Sequence, residues 1–230
     1  MRGLLSLLAV VPSLVAAYAG SAPAAGAMAV AVSLVIFVPQ AARIWSLRRD
    51  AVALSAVSAM TYTFMVYNAA IWAIYGALLG EFWVAAPGLL NFPLAVFVLW
   101  MVTRTRRVPV VEWAPLALIP LTLAAVPVVG SGGIGAAAAV SSVVLFIPQA
   151  RLIARLRHNV QALRSVSVST YALMVADAIN WAIYAWLLRE FWVAASGLVT
   201  LPLAVVVLVT VWRTRRRYAA PAAAHTSAGG

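Results

Sequence analysis

The chain runs as apolar stretches of about twenty residues separated by short connectors, and this alternation restricts its fold more than any other feature. A helix crosses roughly 30 Å of hydrocarbon with about 20 residues, each rising about 1.5 Å. Such stretches fall near 3–19, 26–45, 58–79, 82–103, 113–129, 134–154, 167–188 and 191–212. Only 9% of the residues are charged and 65% are apolar, whereas a soluble domain carries about 25% charged residues. A single water-soluble domain is therefore excluded. So is a disordered chain, which needs low hydrophobicity. The expected class is all-α integral membrane protein, with the lipid bilayer as its first partner.

Charge sorts the connectors into two kinds. All 16 basic residues are arginine. Arg43, Arg48 and Arg49 lie in 43–55; Arg104, Arg106 and Arg107 in 104–112; Arg151, Arg155, Arg157 and Arg164 in 151–164; Arg213, Arg215, Arg216 and Arg217 follow the last span. The alternate connectors, 20–25, 80–81, 130–133 and 189–190, hold only Glu81, Arg189 and Glu190. Cytoplasmic loops of membrane proteins are enriched in Lys and Arg, so eight spans with both termini inside satisfy every loop. The net charge of +11 is then a topology signal, and no nucleic acid is expected as a partner.

Residues 1–25 read as a transmembrane helix. A cleavable signal peptide is the alternative, because a basic start, an apolar stretch and small residues describe both. The proline-interrupted run AVVPSLVAA resembles ALIPLTLAA at 117–125, which favours a retained helix and eight spans over seven. The small, polar tail 218–230 reads as disordered. The exclusive use of arginine points to a GC-rich bacterial genome and hence to a bacterial cytoplasmic membrane, with the C-terminus cytoplasmic. With no cysteine and only His158 and His225, thiolate chemistry and a metal cluster are excluded. No nucleophile–base pair or phosphate-binding loop is present either. The chain reads as neither an enzyme nor a cofactor-binding protein.

An internal repeat organises the chain. Displaced by 109 residues, Pro39–Arg107 aligns without gaps on Pro148–Arg216, with about 40 of 69 positions identical. Phe-Val-Pro-Gln at 37–40 falls on Phe-Ile-Pro-Gln at 146–149, Trp72-Ala-Ile-Tyr75 on Trp181-Ala-Ile-Tyr184, and Glu81-Phe-Trp-Val-Ala-Ala on Glu190-Phe-Trp-Val-Ala-Ala. Repeats of this period are structural units. Matched loops are basic on the same side, so the halves are parallel, and one extra helix restores the direction between two three-helix units. The expected organisation is a first repeat at 26–107, a linker helix within 108–133 and a second repeat at 134–217. Parallel repeats about an axis along the membrane normal are a transporter plan with the site between the halves near the midplane.

Several residues carry that expectation. Pro39 and Pro148 lack an N–H, so the carbonyls of Val35 and Val144 lose their helical partners and each helix can bend there. Gln40 and Gln149 can bond the freed backbone groups or a neighbouring helix. Proline is also common in membrane helices, but two at matched positions favour a hinge. Asn68, Trp72 and Tyr75 share one helical face, and Asp177, Trp181 and Tyr184 repeat it. Asn68 and Asp177 fall at the centres of their spans, with each tryptophan about 6 Å further outward. An aromatic face beside hydrogen-bonding groups suits a sugar, with stacking for its C–H face and partners for its hydroxyls. Trp83 and Trp192, next to the outer loop, fit the interfacial aromatic belt instead. Asp177 is a carboxylate at the bilayer centre, a position that costs roughly 2.5–3.5 kcal/mol and marks function by default. It can bond a sugar, carry a coupling proton, pair with a cationic substrate, or make a structural hydrogen bond to Asn180 or a neighbouring helix. Asn180 is itself a candidate binding residue.

Pro-Gln late in the first helix of each repeat, a basic loop and Trp-x-x-Tyr in the next helix together resemble the PQ-loop superfamily. Within it, the chain is most similar to the SWEET and SemiSWEET sugar transporters over 26–107 and 135–216, with helix 113–129 in the position of their linker helix. The resemblance implies two parallel triple-helix bundles and a facilitative sugar carrier working by alternating access. It also implies Trp72 and Trp181 in the sugar pocket. The family's pocket asparagine aligns on Gly88 and Gly197; the nearest polar residues are Asn91 and Thr200. The family's outer gate implies roles for Tyr75, Glu81, Tyr184 and Glu190. Its arginine aligns on Leu79 and Leu188, with Arg189 one residue away, which leaves two readings open: a Glu81–Arg189 contact across the halves, or a solvated loop pair that contributes little. The superfamily offers two alternatives: a proton-coupled amino-acid carrier, and a non-transporting receptor or assembly factor. A homo-oligomer is compatible with each.

Overall fold

The computed structural model describes residue 15, residues 19–46, residue 48, and residues 59–105, 107–156 and 168–226. The described residues form helices α1 (Ala22–Ser46), α2 (Ala59–Leu79), α3 (Phe82–Thr105), a short 3₁₀ turn (Val110–Trp113), α4 (Ala114–Leu156), α5 (Val168–Leu188) and α6 (Phe191–Thr226), with no strand among them. Five segments are long and apolar enough to cross a membrane: Ala59–Leu79, Phe82–Arg104, Val110–Leu145, Tyr171–Leu188 and Phe191–Thr210. Ala22–Val38 is a shorter apolar helix. The span expected at 3–19 falls outside the described residues, apart from Val15 and Ala19.

α4 is two helices folded at one residue. Gly130 interrupts it with φ 61° and ψ −169°, a conformation that glycine reaches without steric cost. The adjacent residues Tyr67 and Asn68 of α2 reach both sides of the break. Tyr67 Oη lies 3.3 Å from Thr122 Oγ1, and Asn68 Nδ2 donates to Ser141 Oγ at 2.7 Å. In a straight helix, 19 residues of separation are about 28 Å of rise, far beyond the reach of neighbouring side chains. The arms 114–129 and 131–156 therefore run back against each other, in the places expected for the linker helix and the first helix of the second repeat.

The hairpins between α2 and α3 and between α5 and α6 are closed by matched turns. Glu81 N–H bonds Gly76 O at 2.9 Å and Gly80 N–H bonds Ala77 O at 3.2 Å. This double closure ends a helix with a left-handed residue, here Gly80 at φ 69°. In the second half Glu190 N–H bonds Ala185 O at 3.1 Å, Arg189 N–H bonds Trp186 O at 3.3 Å, and Arg189 takes φ 58°. The carbonyls of Glu81 and Glu190 then accept the first bonds of α3 and α6, from Ala85 and Ala194. Each glutamate is thus held where two helices meet.

The halves interlock. α1 packs on α3 of its own half and on α5 of the other; α4 packs on α6 and on α2. Exposed apolar side chains recur at the repeat spacing, Phe82 with Phe191, Leu89 with Leu198 and Val96 with Val205. Matched exposure of this kind is a lipid-facing surface, since in lipid an apolar side chain need not be buried. Two buried cores lie at different depths. Toward the Glu81 and Glu190 end, Ala25, Tyr75, Val84, Ile134, Tyr184 and Val193 join both halves. Toward the other end, among the described residues, Ile44, Ala59, Tyr62, Leu99 and Val102 of the first half form a second core.

α6 continues as helix past Tyr218 to Thr226, and residues 227–230 of the tail lie outside the described residues. Its extension is rich in alanine, the strongest helix former. Extending an existing helix also avoids the unfavourable nucleation step.

Candidate functional site

A cavity of about 170 Å³ lies between the halves, lined by α1, α2 and α3 and by the second arm of α4, α5 and α6. A water's share of the liquid is about 30 Å³, so the space admits a solute several times that size. Asn68, Trp72, Asn91, Asp177, Trp181 and Thr200, six residues expected to bind substrate, all line it. Asn180 does not: it is fully buried elsewhere on α5. Gly88 and Gly197 also face the cavity. A Cβ added at Gly88 runs into the carbonyl oxygen of Ala69, so close packing of α3 on α2 excludes a side chain there, and the amide stands instead at Asn91.

The tryptophans are held by hydroxyls from the opposite half. Trp72 Nε1 donates to Ser142 Oγ at 3.0 Å, and Trp181 Nε1 donates to Ser33 Oγ at 3.0 Å. Ser33 and Ser142 are separated by the repeat spacing of 109 residues, so the two contacts are copies. Extending the alignment upstream of Pro39 finds this pair, as it finds Gly26 and Gly135. Each indole packs edge-to-face with its own tyrosine, Trp72 with Tyr75 and Trp181 with Tyr184, with ring centroids 5.8 Å apart in both halves.

The polar centre breaks the symmetry. Asn68 Nδ2 donates to Ser141 at 2.7 Å and to Ser142 at 3.0 Å, whereas Asp177 Oδ1 accepts from Ser33 at 2.6 Å. The matched serines therefore act oppositely, Ser142 accepting from Asn68 and Ser33 donating to Asp177. Of the hydrogen-bond partners considered for Asp177, the structure supplies the neighbouring helix α1, not Asn180.

The end carrying the glutamates is closed. Tyr75 Oη donates to Glu190 at 2.9 Å and Tyr184 Oη donates to Glu81 at 3.5 Å, each across the halves. Both tyrosines are 1% exposed. Gly26 and Gly135 let the helices approach there: a Cβ at Gly26 would stand 2.7 Å from Trp83 and 3.0 Å from Tyr184, and one at Gly135 would stand 2.6 Å from Trp192 and 2.8 Å from Tyr75. Trp83 and Trp192, assigned to the interfacial belt, thus also seal this end. The Glu81–Arg189 contact is replaced by Glu81–Tyr184, and Arg189 is exposed in its turn. The cause is local, because the residue closing α5 takes the left-handed conformation and its side chain leaves the interface. α1 and α4 pass through Pro39 and Pro148 as helix; the side chains of Pro39, Gln40, Pro148 and Gln149 lie outside those described.

No family model matches the chain, and no curated protein is significantly similar to it.

Proposed function

We propose that this chain is an integral membrane carrier of small hydroxylated solutes, of the SWEET-like PQ-loop kind, and that it works by alternating access of its two repeats. The observation that carries this reading is the cavity between the halves, walled by Trp72 and Trp181 with Asn68 and Asp177 beside them. Paired ring faces offer stacking, and amide and carboxylate oxygens offer partners to hydroxyls. Beyond the cavity, the buried core at the Glu81 and Glu190 end joins both halves. With the arginine-bearing end in the cytoplasm of a bacterial cell, this closed end faces outward, and the cycle requires its crossed Tyr–Glu pairs to part.

Counterflow in proteoliposomes tests the reading. Labelled glucose, sucrose and a panel of amino acids are offered at equal pH and then with an inward proton gradient. Exchange of a sugar without a gradient is the expected result. Absence of exchange for every solute removes it in favour of a non-transporting role. Asp177 supports a second reading, a proton-coupled amino-acid carrier. Gradient-dependent amino-acid uptake, lost in Asp177→Asn, selects that one.

A further inference from the structure

The cavity has a surplus of one kind of hydrogen-bonding group. Its indole and hydroxyl donors are already engaged within the protein. Trp72 donates to Ser142 and Trp181 to Ser33. Ser33 donates to Asp177, Ser142 to the Ala138 carbonyl at 3.1 Å, Ser196 to the Val193 carbonyl at 2.9 Å and Thr200 to the Ser196 carbonyl at 2.8 Å. The Asn68 amide donates to two serines.

The acceptors are not matched in this way. An ionised carboxylate has about four acceptor sites, and Asp177 receives Ser33 at one oxygen, with the Trp181 indole, shared with Ser33, as its other neighbouring donor. Asn91 Oδ1 also lacks a partner, but it is buried behind the cavity surface, so Asp177 is the acceptor that a solute meets. Among the described residues, no arginine, lysine or histidine lines the cavity.

A solute that fits must therefore bring donors. A hydroxyl brings one donor and two acceptor lone pairs, whereas an ammonium brings three donors and no acceptor. Its charge also offsets that of a carboxylate placed midway along a membrane helix, where an unpaired charge is costly. The faces of Trp72 and Trp181 add a further attraction for a cation. The first half carries neutral Asn68 at the matched position, so the charge sits on one side of an otherwise paired cavity.

We propose that the cavity selects a small hydroxylated solute bearing a single ammonium group, an amino sugar rather than its neutral parent, with Asp177 as the charge partner. This rests on the carrier reading above and narrows its substrate class.

The test compares glucosamine, glucose and N-acetylglucosamine, which share a ring and differ at C2, where they carry an ammonium, a hydroxyl and a neutral acetamide. In counterflow the expected result is glucosamine exchange about tenfold above the other two, the effect of one charge-assisted hydrogen bond. Asp177→Asn removes this preference. Adding Asn68→Asp to that variant restores it, because the repeat places the carboxylate at the matched position. Glucose exchanging as fast as glucosamine, in native protein and in Asp177→Asn alike, overturns the substrate class and leaves the carrier reading intact. If none of the three exchanges, thermal unfolding of the purified protein in detergent decides. A midpoint raised by glucosamine in the native protein but not in Asp177→Asn upholds the ammonium site and removes the carrier reading. No shift with any of the three sugars removes both.

Discussion

Arg189 sits where the matched turn of the first half has Gly80, and both take a left-handed backbone, at φ 58° and 69°. A side chain in that conformation costs roughly 1–2 kcal/mol relative to glycine. Arg189→Gly is therefore expected to stabilise the protein by about 1 kcal/mol, seen as a raised unfolding midpoint in detergent, with transport unchanged. A loss of transport instead would return Arg189 to the gate. The tryptophans are the opposite case, side chains whose value lies in the cavity. Trp72→Ala and Trp181→Ala are expected to abolish exchange while leaving membrane insertion and size-exclusion behaviour intact, and unchanged uptake sinks the pocket as drawn. Both tryptophans, Asn68 and Asp177 were legible from the sequence because they recur at one spacing on one helical face. Ser33 and Ser142 recur at the same spacing, but upstream of the aligned block that starts at Pro39, and only the fold shows that each meets a tryptophan of the other half.

At the level of the helix, the chain's connectors do as much as its spans. The double closure at Gly80 and Arg189 holds Glu81 and Glu190 at the closed end beyond the cavity, and the break at Gly130 folds α4 into the two arms that flank α2. The prolines belong to the same scale. Each removes one backbone hydrogen bond, so Pro39→Ala or Pro148→Ala restores it and stiffens α1 or α4. The expected outcome is a slower turnover in counterflow with solute binding nearly unchanged. Weakened binding with turnover preserved contradicts the hinge. The ends of these helices could be read from hydropathy to within a few residues. The exception is α6, whose extension past the arginines depends on alanine propensity instead of on burial.

Over the whole molecule, closure is a joint property of the two halves. The hydrogen bonds Tyr75–Glu190 and Tyr184–Glu81 each join residues more than a hundred positions apart. Replacing both tyrosines by phenylalanine keeps the rings and deletes both ties. The population is then expected to shift toward a conformation open at this end. The chain has no cysteine, so a single thiol introduced as Val84→Cys reports the change. Faster labelling from that side in the double variant is the predicted result, and equal labelling assigns closure to the packed aromatic residues alone.

The class of molecule, the helical segments, the repeat and the paired aromatic faces could all be read from the chain. These follow from hydropathy over about twenty residues and from identity at a fixed spacing, both readable along the chain. The tertiary structure decided which groups meet. Ser33 joins Asp177 across 144 residues, Tyr75 joins Glu190 across 115, and Glu81 takes Tyr184 as its partner while Arg189 stands exposed. Such pairings depend on how two similar halves interlock. A repeated sequence leaves this open, because each residue has a near-identical copy with which its partner could equally have paired.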